Sequence, residues 1–234
     1  MKITLLVPTI NEIDGMRAIM PQVKKEWVDQ ILVLDGGSTD GTIEFAREQG
    51  YDVVVQKEKG LRQGYLEALP HVTGDVIITF SPDGNSLADR IPPLVEKMKE
   101  GFDMVIVSRY APPAKSEDDD VVTGFGNWMF TALINFCFGA HYTDAMVIYR
   151  AYKKSLVNTL DLDKESTYRW AERLFFTRIS WEPVLSMRAA KRRLRLSEIP
   201  GDEPPRLGGV RKLQIIRWGS AFIFQIAQNL FFWA

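Results

Sequence analysis

The stretch Gln30-Ile-Leu-Val-Leu-Asp-Gly-Gly-Ser-Thr-Asp-Gly-Thr42 decides the fold of this chain. After Gln30 it begins with an apolar run of the length and composition of a strand that is buried on both faces of a sheet. A polar, glycine-rich turn follows at once, and a helical pattern begins near its end. A strand that runs through such a turn into a helix is typical of βαβ units, so the stretch predicts an α/β fold.

The same alternation of strand and helix recurs on both sides of this stretch. A first strand is expected at 3–7, where Pro8 should end it, and further strands are expected at 52–56, 76–80 and 103–107. Helical patterns lie between them at 16–27, 43–49, 61–69 and 91–100. The spacing predicts a central, mostly parallel sheet flanked by helices, with its ligand site beyond the carboxyl ends of the strands.

Composition excludes several classes of protein. The 234 residues are 46% hydrophobic and 25% charged, which disfavours intrinsic disorder, a collagen-like chain and a polytopic membrane protein. The formal net charge of −1 makes no case for nucleic acid as a partner. A single cysteine excludes an internal disulfide framework, and the N-terminus shows no secretion signal, so we expect a cytoplasmic protein.

Polar loops follow the predicted strands at 8–12, 35–42, 81–85 and 108–110, and the topology should bring them to one rim. In the second loop Asp35, Gly36 and Ser38 can offer a carboxylate, backbone N–H groups and a hydroxyl to a nucleoside, although a tight turn with a helix cap is an equal reading. In the third loop Asp83 and Asn85 carry oxygens that a hard divalent cation prefers, although a simple turn is the commoner reading.

Taken in order, five motifs resemble the family 2 glycosyltransferases of the GT-A fold, and within them the dolichyl-phosphate mannose synthase and polyprenyl-phosphate glycosyltransferase group. The motifs lie at 7–12, 35–42, 57–61, 81–85 and 108–110, and the resemblance runs from residue 2 to about 219. It implies inverting transfer of a sugar from a nucleotide-diphospho-sugar, a GDP- or UDP-sugar, with Mg²⁺ or Mn²⁺. The first acceptor candidate is a polyprenyl phosphate, either dolichyl or undecaprenyl phosphate.

The resemblance also implies roles for single residues. Asp83, Arg109 and Asp144 are the candidate catalytic residues, with Arg109 on phosphate and Asp144 as the base if the acceptor is a hydroxyl. Asp83 and Asn85 would bind the metal, and Arg206 and Lys212 would close over the diphosphate. Arg62, next to Gly60 and Gly64, could reach a donor phosphate, although a solvated arginine is the commoner reading. The full set of donor-binding candidates is Pro8, Thr9, Glu12, Asp35, Gly36, Ser38, Arg62, Asp83, Arg206 and Lys212.

Three departures from the family pattern affect these expectations. Ser81 stands where the family's metal element begins with Asp, so one metal ligand is lost or is supplied by water. Gly36 stands where relatives have a second Asp that helps to hold the nucleoside, which leaves the base open. The segment 121–127, which follows an acidic tract at 116–120, lacks the basic residue of the lipid-phosphate relatives. The acidic tract itself is the best candidate for a mobile loop.

We expect one glycosyltransferase domain over 1–234, with a nucleotide-sugar half at 1–110, an acceptor half with a C-terminal lid at 111–214, and an amphipathic helix at 215–234. That helix could pack on its own core, on a second copy in a homo-oligomer, or in the membrane interface as a peripheral contact. The basic run at 188–195 could be a solvated face or could meet lipid headgroups.

Three alternatives stay open. A glycosyltransferase could act instead on a hydroxyl of a cell-surface glycan or lipid-linked saccharide. A sugar-nucleotide nucleotidyltransferase would need a glycine-rich, basic loop after the first strand, and Pro8-Thr-Ile-Asn-Glu12 is not one. An inactive nucleotide-binding homologue is suggested by Ser81 and Gly36, and loss of metal-dependent activity in Asp83→Ala would exclude it.

Overall fold

The computed structural model describes residues 1–207 and 215–233, with the backbone alone at 215 and 216. These residues form a seven-stranded sheet with the order β3-β2-β1-β4-β6-β5-β7. The strands are β1 Ile3–Thr9, β2 Gln30–Asp35, β3 Asp52–Val55, β4 Val76–Thr79, β5 Met104–Ser108, β6 Arg150–Lys153 and β7 Leu196–Pro200. The β6 strand pairs antiparallel with both of its neighbours and the other pairs are parallel, which confirms the predicted mostly parallel sheet.

Helices connect the strands and cover both faces of the sheet. The α-helices are α1 Ile13–Ile19, α2 Thr42–Glu48, α3 Leu61–Ala68, α4 Ile91–Lys99, α5 Val121–Phe138, α6 Leu156–Thr159, α7 Arg169–Phe175, α8 Glu182–Lys191 and α9 Ile215–Phe231. Short 3-10 helices lie at Met20–Gln22, Lys25–Trp27, Leu69–His71, Ala88–Arg90 and Glu165–Thr167. The predicted helix at 16–27 is therefore α1 followed by two 3-10 turns.

The first strand continues past Pro8, which corrects the expectation that proline ends it. The neighbour β4 pairs with β1 only from Ile3 to Leu6, while β2 pairs with it as far as Thr9. A proline has no N–H for the ladder, and here it lies where one side of β1 has no strand partner. The strand can therefore deliver Thr9 to the rim of the sheet.

The sheet is apolar on both faces, as its continuous apolar runs predicted. Leu6 and Ile77 face a cluster that includes Tyr65 of α3 and Trp181, whose rings stack with centroids 4.8 Å apart. Leu5 and the other residues of opposite parity face a second cluster against α1 and α4. Two cores on one sheet hold the strand ends in fixed positions, which is what a site built on loops requires.

The C-terminal helix α9 packs on the protein itself, against α5, α7 and α8. Its polar Gln225 and Asn229 are buried, and they bond to the carbonyl of Thr167 and to the guanidinium of Arg188, at 2.8 and 2.6 Å. Arg188 is itself buried, which corrects the expectation that its basic run forms a solvated or lipid-facing surface at this position. One face of α9 therefore belongs to the core.

Helix α5 has no charged residue and is long and apolar enough to cross a bilayer, as judged by length and composition alone. It also packs against α8 and α9, and polar side chains attach it to the rest of the protein. Asn135 exchanges two hydrogen bonds with the backbone of Tyr142, at 2.8 and 2.9 Å. The opposite face of α5 exposes Phe125, Trp128 and Phe136.

Candidate functional site

The loops after β1 and β2 meet at the carboxyl edge of the sheet, as the topology predicted. The Thr9 hydroxyl donates a hydrogen bond to the Asp35 carboxylate at 2.8 Å, and the Asn11 backbone N–H donates one to the Ser38 hydroxyl oxygen at 2.7 Å. Glu12 is placed at the start of α1, where its backbone N–H donates to Thr42. The predicted donor-binding residues of these two loops thus form one cluster: Pro8, Thr9, Glu12, Asp35, Gly36 and Ser38.

Asp35 organises this cluster from within. Its carboxylate is fully buried and accepts hydrogen bonds from the backbone N–H groups of Gly37 and Ser38 and from the Ser38 hydroxyl, at 2.7–2.8 Å. A carboxylate with that many local donors shapes the turn rather than reaching out of it. A side chain at Gly36 would press on Ile10, since an added Cβ would lie 3.2 Å from its carbons.

The loop after β4, residues 81–85, is a tight turn that we call the metal loop. The backbone N–H of Asn85 donates to the Asp83 carboxylate at 3.1 Å, and both side chains are buried. Gly84 has a φ of +96°, a left-handed conformation that favours glycine. A Cβ there would also lie 2.8 Å from Leu207, whose N–H donates to the Asp83 carbonyl. The chain after β7 therefore covers the metal loop directly.

Gly15 of α1 supports the metal loop from the other side, and the sequence reasoning missed it. A Cβ at this position would lie 2.3 Å from the Pro82 carbonyl oxygen and 3.3 Å from the Asp83 Cα atom. Only glycine lets the helix approach this closely. No pattern in the sequence marks the residue, because the contact joins helix α1 to a loop far away in the chain.

Gly15→Ala should destabilise the protein by about 1–3 kcal/mol, because the added methyl group meets backbone that cannot move aside without shifting Asp83. It should also weaken Mn²⁺ binding. Thermal unfolding and Mn²⁺ titration measure the two effects. Gly124→Ala is the matched control, since that glycine is also helical and a Cβ there meets nothing within 4 Å. Equal melting temperatures for the two variants would contradict the prediction.

Arg109, which follows β5, is surrounded by carboxylates. Its guanidinium makes a bidentate contact with the Asp144 carboxylate, at 2.6 and 3.0 Å. It also lies 3.2 Å from the Glu203 carboxylate and 3.7 Å from that of Asp119. Its side chain is 14% exposed and that of Asp144 is 0% exposed. Asp144 also accepts a hydrogen bond from Asn127 of α5 at 3.1 Å. The candidate base is therefore held as the counter-ion of Arg109, and its role as a base stays a prediction.

Glu203, after β7, is a carboxylate that the sequence reasoning did not select. Burial raises the pKa of Glu203 above its usual value, and the nearby Asp119 acts in the same direction while Arg109 opposes it. Its other partner is the Ser116 hydroxyl, at a short distance. A raised pKa makes this carboxylate a better proton acceptor than a surface glutamate.

Backbone hydrogen bonds attach the acidic tract to the segment after β7, a contact that its composition did not predict, and its mobility stays a prediction. Ser116 and Glu203 form a parallel β-bridge, in which the Glu117 N–H donates to Glu203 and the Glu203 N–H donates to Lys115, both at 2.9 Å. Tyr110 donates its hydroxyl proton to Asp119. Carboxylates of the tract therefore become part of the site, although composition alone indicated a flexible segment.

Arg206 reaches the metal loop, and its predicted role in closing over the diphosphate stays a prediction. Its guanidinium lies between two carboxylates, 3.2 Å from Asp83 and 3.3 Å from Asp118. Asp118 in turn accepts a hydrogen bond from the Asn85 side-chain amide at 3.0 Å. Lys212, the second predicted lid residue, lies outside the described residues.

The structure places Arg62 away from this site, which corrects its predicted role in donor binding. Arg62 is 1% exposed, its guanidinium contacts Glu165 and Glu172 at 2.9 and 3.0 Å, and it lies over the Tyr168 ring at 4.1 Å. This is a buried ion pair that joins α3 to the start of α7. The sequence could not distinguish it from a phosphate-binding arginine beside glycines.

A cavity of about 430 Å³ opens at the metal loop. Its polar lining comes from the loops after β4, β5 and β7, and includes Asp83, Arg109 and Glu203. Its apolar lining comes from α5 and α9, and includes Phe130 and Phe222, whose rings meet edge to face. One cavity thus joins a charged surface to an apolar surface, and it brings together Asp83, Asn85, Arg109 and Arg206 as the sequence predicted.

The metal loop suits a hard cation in its donor atoms. The Asn85 side-chain oxygen is buried and has no hydrogen-bond partner, and the Asp83 carboxylate lies two residues away. Within 1–207 and 215–233, no three His, Cys, Asp or Glu side chains form a group that could hold a metal ion. The residues present therefore fit a cation that takes its remaining oxygen ligands from a bound diphosphate.

Comparison with protein-family models gives a match to "Glycosyl transferase family 2" over residues 4–161. Glycosyltransferase AglJ of Haloferax volcanii is 28% identical over 211 residues, which cover 88% of this chain and 64% of that protein. Undecaprenyl-phosphate 4-deoxy-4-formamido-L-arabinose transferase of Klebsiella pneumoniae is 27% identical over 180 residues, which cover 71% and 54%. The chain thus spans between half and two thirds of the length of these curated relatives.

Among solved structures, glucosyl-3-phosphoglycerate synthase of Mycobacterium tuberculosis, crystallised with Mg²⁺ and uridine diphosphate, superposes with a TM-score of 0.67. The sequence identity is 20%, and the match covers 98% of this chain and 79% of the other. This likeness concerns the fold alone, and it confirms the predicted GT-A architecture.

Proposed function

Because the chain belongs to glycosyl transferase family 2, we propose that it transfers a sugar, with inversion, from a nucleotide-diphospho-sugar to a polyprenyl phosphate. The observation that carries the proposal is the single cavity with a charged lining beside the metal loop and an apolar lining from α5 and α9. A charged diphosphate fits the first surface, and an isoprenoid chain fits the second.

The donor would be a GDP- or UDP-sugar bound with Mg²⁺ or Mn²⁺. Uridine diphosphate and Mg²⁺ are bound to the structural neighbour from Mycobacterium tuberculosis. In this chain Asp83 and Asn85 would hold the cation, whose chemistry is to offset the negative charge that builds on the leaving nucleoside diphosphate. Arg206 adds a second positive charge on the same side, next to Asp83.

The acceptor would be a lipid phosphate. The relative from Klebsiella pneumoniae is named for undecaprenyl phosphate. A phosphate oxygen is already anionic and attacks without a general base. Transfer to a lipid phosphate therefore does not require Asp144, which is fully buried and paired with Arg109, to act as a base. Arg109 lines the cavity and would bind the acceptor phosphate, which would replace Glu203 as a partner of its guanidinium.

A lipid acceptor requires contact with a membrane surface, and α5 has an exposed apolar face that suits such a contact. Its outward face exposes Phe125, Trp128 and Phe136, while its inward face carries Asn127, which bonds to Asp144. Helix α9, packed beside α5, exposes Ile223 and Phe231. A helix attached to the protein along one face and apolar on the other suits peripheral binding at the membrane interface.

Trp128→Glu should reduce binding to vesicles of phosphatidylcholine and phosphatidylglycerol by about tenfold, because a carboxylate replaces an aromatic ring that is 64% exposed at the proposed interface. Vesicle co-sedimentation measures the change. Val55→Glu is the matched control, since it places the same charge on an exposed apolar position of the edge strand β3. Equal binding of the two variants would exclude α5 as the contact surface.

The function is tested by incubating the protein with Mn²⁺ and a panel of GDP-, UDP- and dTDP-sugars, with and without undecaprenyl or dolichyl phosphate. The expected result is a sugar-linked lipid that forms with one donor class and disappears when EDTA is added. Transfer to a lipid-free glycan in the absence of any lipid product would overturn the proposed acceptor. It would leave glycosyl transfer intact.

A hydroxyl of a glycan is the second candidate acceptor, and Glu203 is the observation that favours it. This carboxylate lines the cavity and its pKa is raised by burial, as a general base for a hydroxyl would require. The two acceptors differ in their response to Glu203→Gln. Loss of transfer with retained donor binding supports a hydroxyl, and retained transfer supports a lipid phosphate.

A further inference from the structure

The metal loop supplies only one carboxylate, because Ser81 occupies the position where a second would be expected. Asp83 and the amide oxygen of Asn85 together carry a single negative charge toward a dication. Divalent hard cations are held most tightly by sites with more carboxylate oxygens. Either the protein binds its cation weakly, or another segment supplies the missing charge.

Asp118 lies in the right place to supply it. Its carboxylate accepts a hydrogen bond from the Asn85 side chain at 3.0 Å, although the two residues are 33 positions apart in the chain. The Asp118 side chain is only 15% exposed. The loop that carries it pairs with the segment after β7 through the bridge between Ser116 and Glu203.

A cationic group already lies between Asp118 and the metal loop. The Arg206 guanidinium contacts the Asp83 carboxylate at 3.2 Å and the Asp118 carboxylate at 3.3 Å. Two carboxylates from different loops therefore converge on one positive charge. A dication between the same two carboxylates would be favoured by the same electrostatic attraction, with twice the charge.

The unpartnered oxygen of Asn85 is an independent sign of a missing ligand. Asn85 is 9% exposed, and its Oδ1 atom is buried without a hydrogen-bond donor, while its Nδ2 atom is used by Asp118. A buried carbonyl oxygen without a partner destabilises the folded protein, and a bound cation removes that cost. The same residue contacts both carboxylates that hold Arg206, through its side-chain Nδ2 to Asp118 and its backbone N–H to Asp83.

We propose that Asp118 is a third protein ligand of the divalent cation, together with Asp83 and Asn85, and that Arg206 takes the place of the cation between Asp83 and Asp118 in its absence. The inference rests on the proposed function and assigns the acidic tract to its metal site. Binding of the cation then releases Arg206 toward the anionic diphosphate. Asp118 of the tract thus supplies the carboxylate ligand that the family pattern places at position 81.

The test is a titration of Mn²⁺ followed by electron paramagnetic resonance, on the full chain, alone and with uridine or guanosine diphosphate. Asp118→Asn should weaken Mn²⁺ binding by about tenfold or more. Glu117→Gln, which removes one charge from an exposed neighbour in the same tract, should change it less than about twofold. Thermal unfolding checks that each variant is folded.

Two further variants separate a ligand from a residue that only positions Arg206. In an Arg206→Ala background, Asp118→Asn should still weaken Mn²⁺ binding by the same factor. Adding Ser81→Asp to Asp118→Asn should restore most of the lost affinity, because it returns a carboxylate to the metal loop. A positioning role predicts no effect in the first case and no rescue in the second.

The outcomes distinguish this inference from the proposed function. Tight Mn²⁺ binding by both the unaltered protein and Asp118→Asn overturns the role of Asp118 and leaves the proposed function standing. An unaltered protein that binds no Mn²⁺, alone or with either nucleotide, overturns both. Weaker Mn²⁺ binding in Asp118→Asn than in Glu117→Gln, restored when Ser81→Asp is added, supports the inference.

Discussion

Arg109→Met should destabilise the protein by about 3–5 kcal/mol, the range expected when one partner of a buried ion pair is removed. Asp144 is fully buried, and Glu203 and Asp119 complete the group of carboxylates around the guanidinium. Without Arg109 these negative charges would face one another with no cation among them. Urea unfolding at neutral pH measures the loss.

Arg90→Met is the control for this prediction. Arg90 also pairs with an aspartate, at 2.8 Å, but the Arg90 side chain is 35% exposed and that of Asp89 is 64% exposed, so the pair should contribute less than about 1 kcal/mol. Arg109→Lys should recover part of the stability, because it keeps the charge and loses the two-pronged contact with Asp144. If Arg109→Met unfolds at the same urea concentration as Arg90→Met, the carboxylate group is not held together by Arg109.

Asp83→Asn should lower the rate of sugar transfer by about a thousandfold or more, because the cation that offsets leaving-group charge would lose a carboxylate ligand. The substitution keeps the size of the side chain and removes only its charge. The steady-state rate of sugar transfer and the affinity for Mn²⁺ should both decrease. Asp89→Asn is the control, since that exposed aspartate lies just beyond the metal loop and pairs only with the adjacent Arg90 among its charged contacts in the described residues.

This prediction also separates the active enzyme from an inactive nucleotide-binding homologue. Metal-dependent transfer that disappears in Asp83→Asn and persists in Asp89→Asn excludes the inactive homologue. Transfer by Asp83→Asn within tenfold of the unaltered protein would show that Asp83 is not a ligand. No transfer with any donor or acceptor, despite normal folding, would favour the homologue without activity.

Strands β1 to β5 could be predicted from the sequence because they contain apolar runs and most of the turns after them carry glycine or aspartate, whereas β6 and β7, with the sequences RAYK and LSEIP, lack such runs and were not predicted. The order of the strands could not, since β6 enters the sheet from far along the chain. The error at Pro8 also comes from information outside the local sequence. A proline breaks a strand only where the neighbouring strand on its own N–H side needs that N–H, and here this depends on where β4 ends.

For the site, local motifs identified the residues that lie on strand ends, Asp83, Asn85 and Arg109. They could not identify which charges meet across loops. Arg62 was assigned to a phosphate although Glu165 and Glu172, far away in sequence, bury it. The acidic tract was interpreted as a mobile segment, yet Asp118 meets the metal loop through a fold that composition does not encode. Long-range pairing of charges was the missing information.

The antiparallel strand β6 has a consequence for the order in which the chain can fold. The β5 strand has β6 and β7 as its only neighbours in the described sheet, and both follow it in sequence. During synthesis β5 therefore leaves the ribosome with no strand beside it. It must wait until residues near 150 emerge, so the contact order of this half of the sheet is high and its assembly slow. A fragment that stops at 110 would carry β5 as an exposed apolar strand, prone to aggregation. We therefore expect that residues 1–110 do not fold independently.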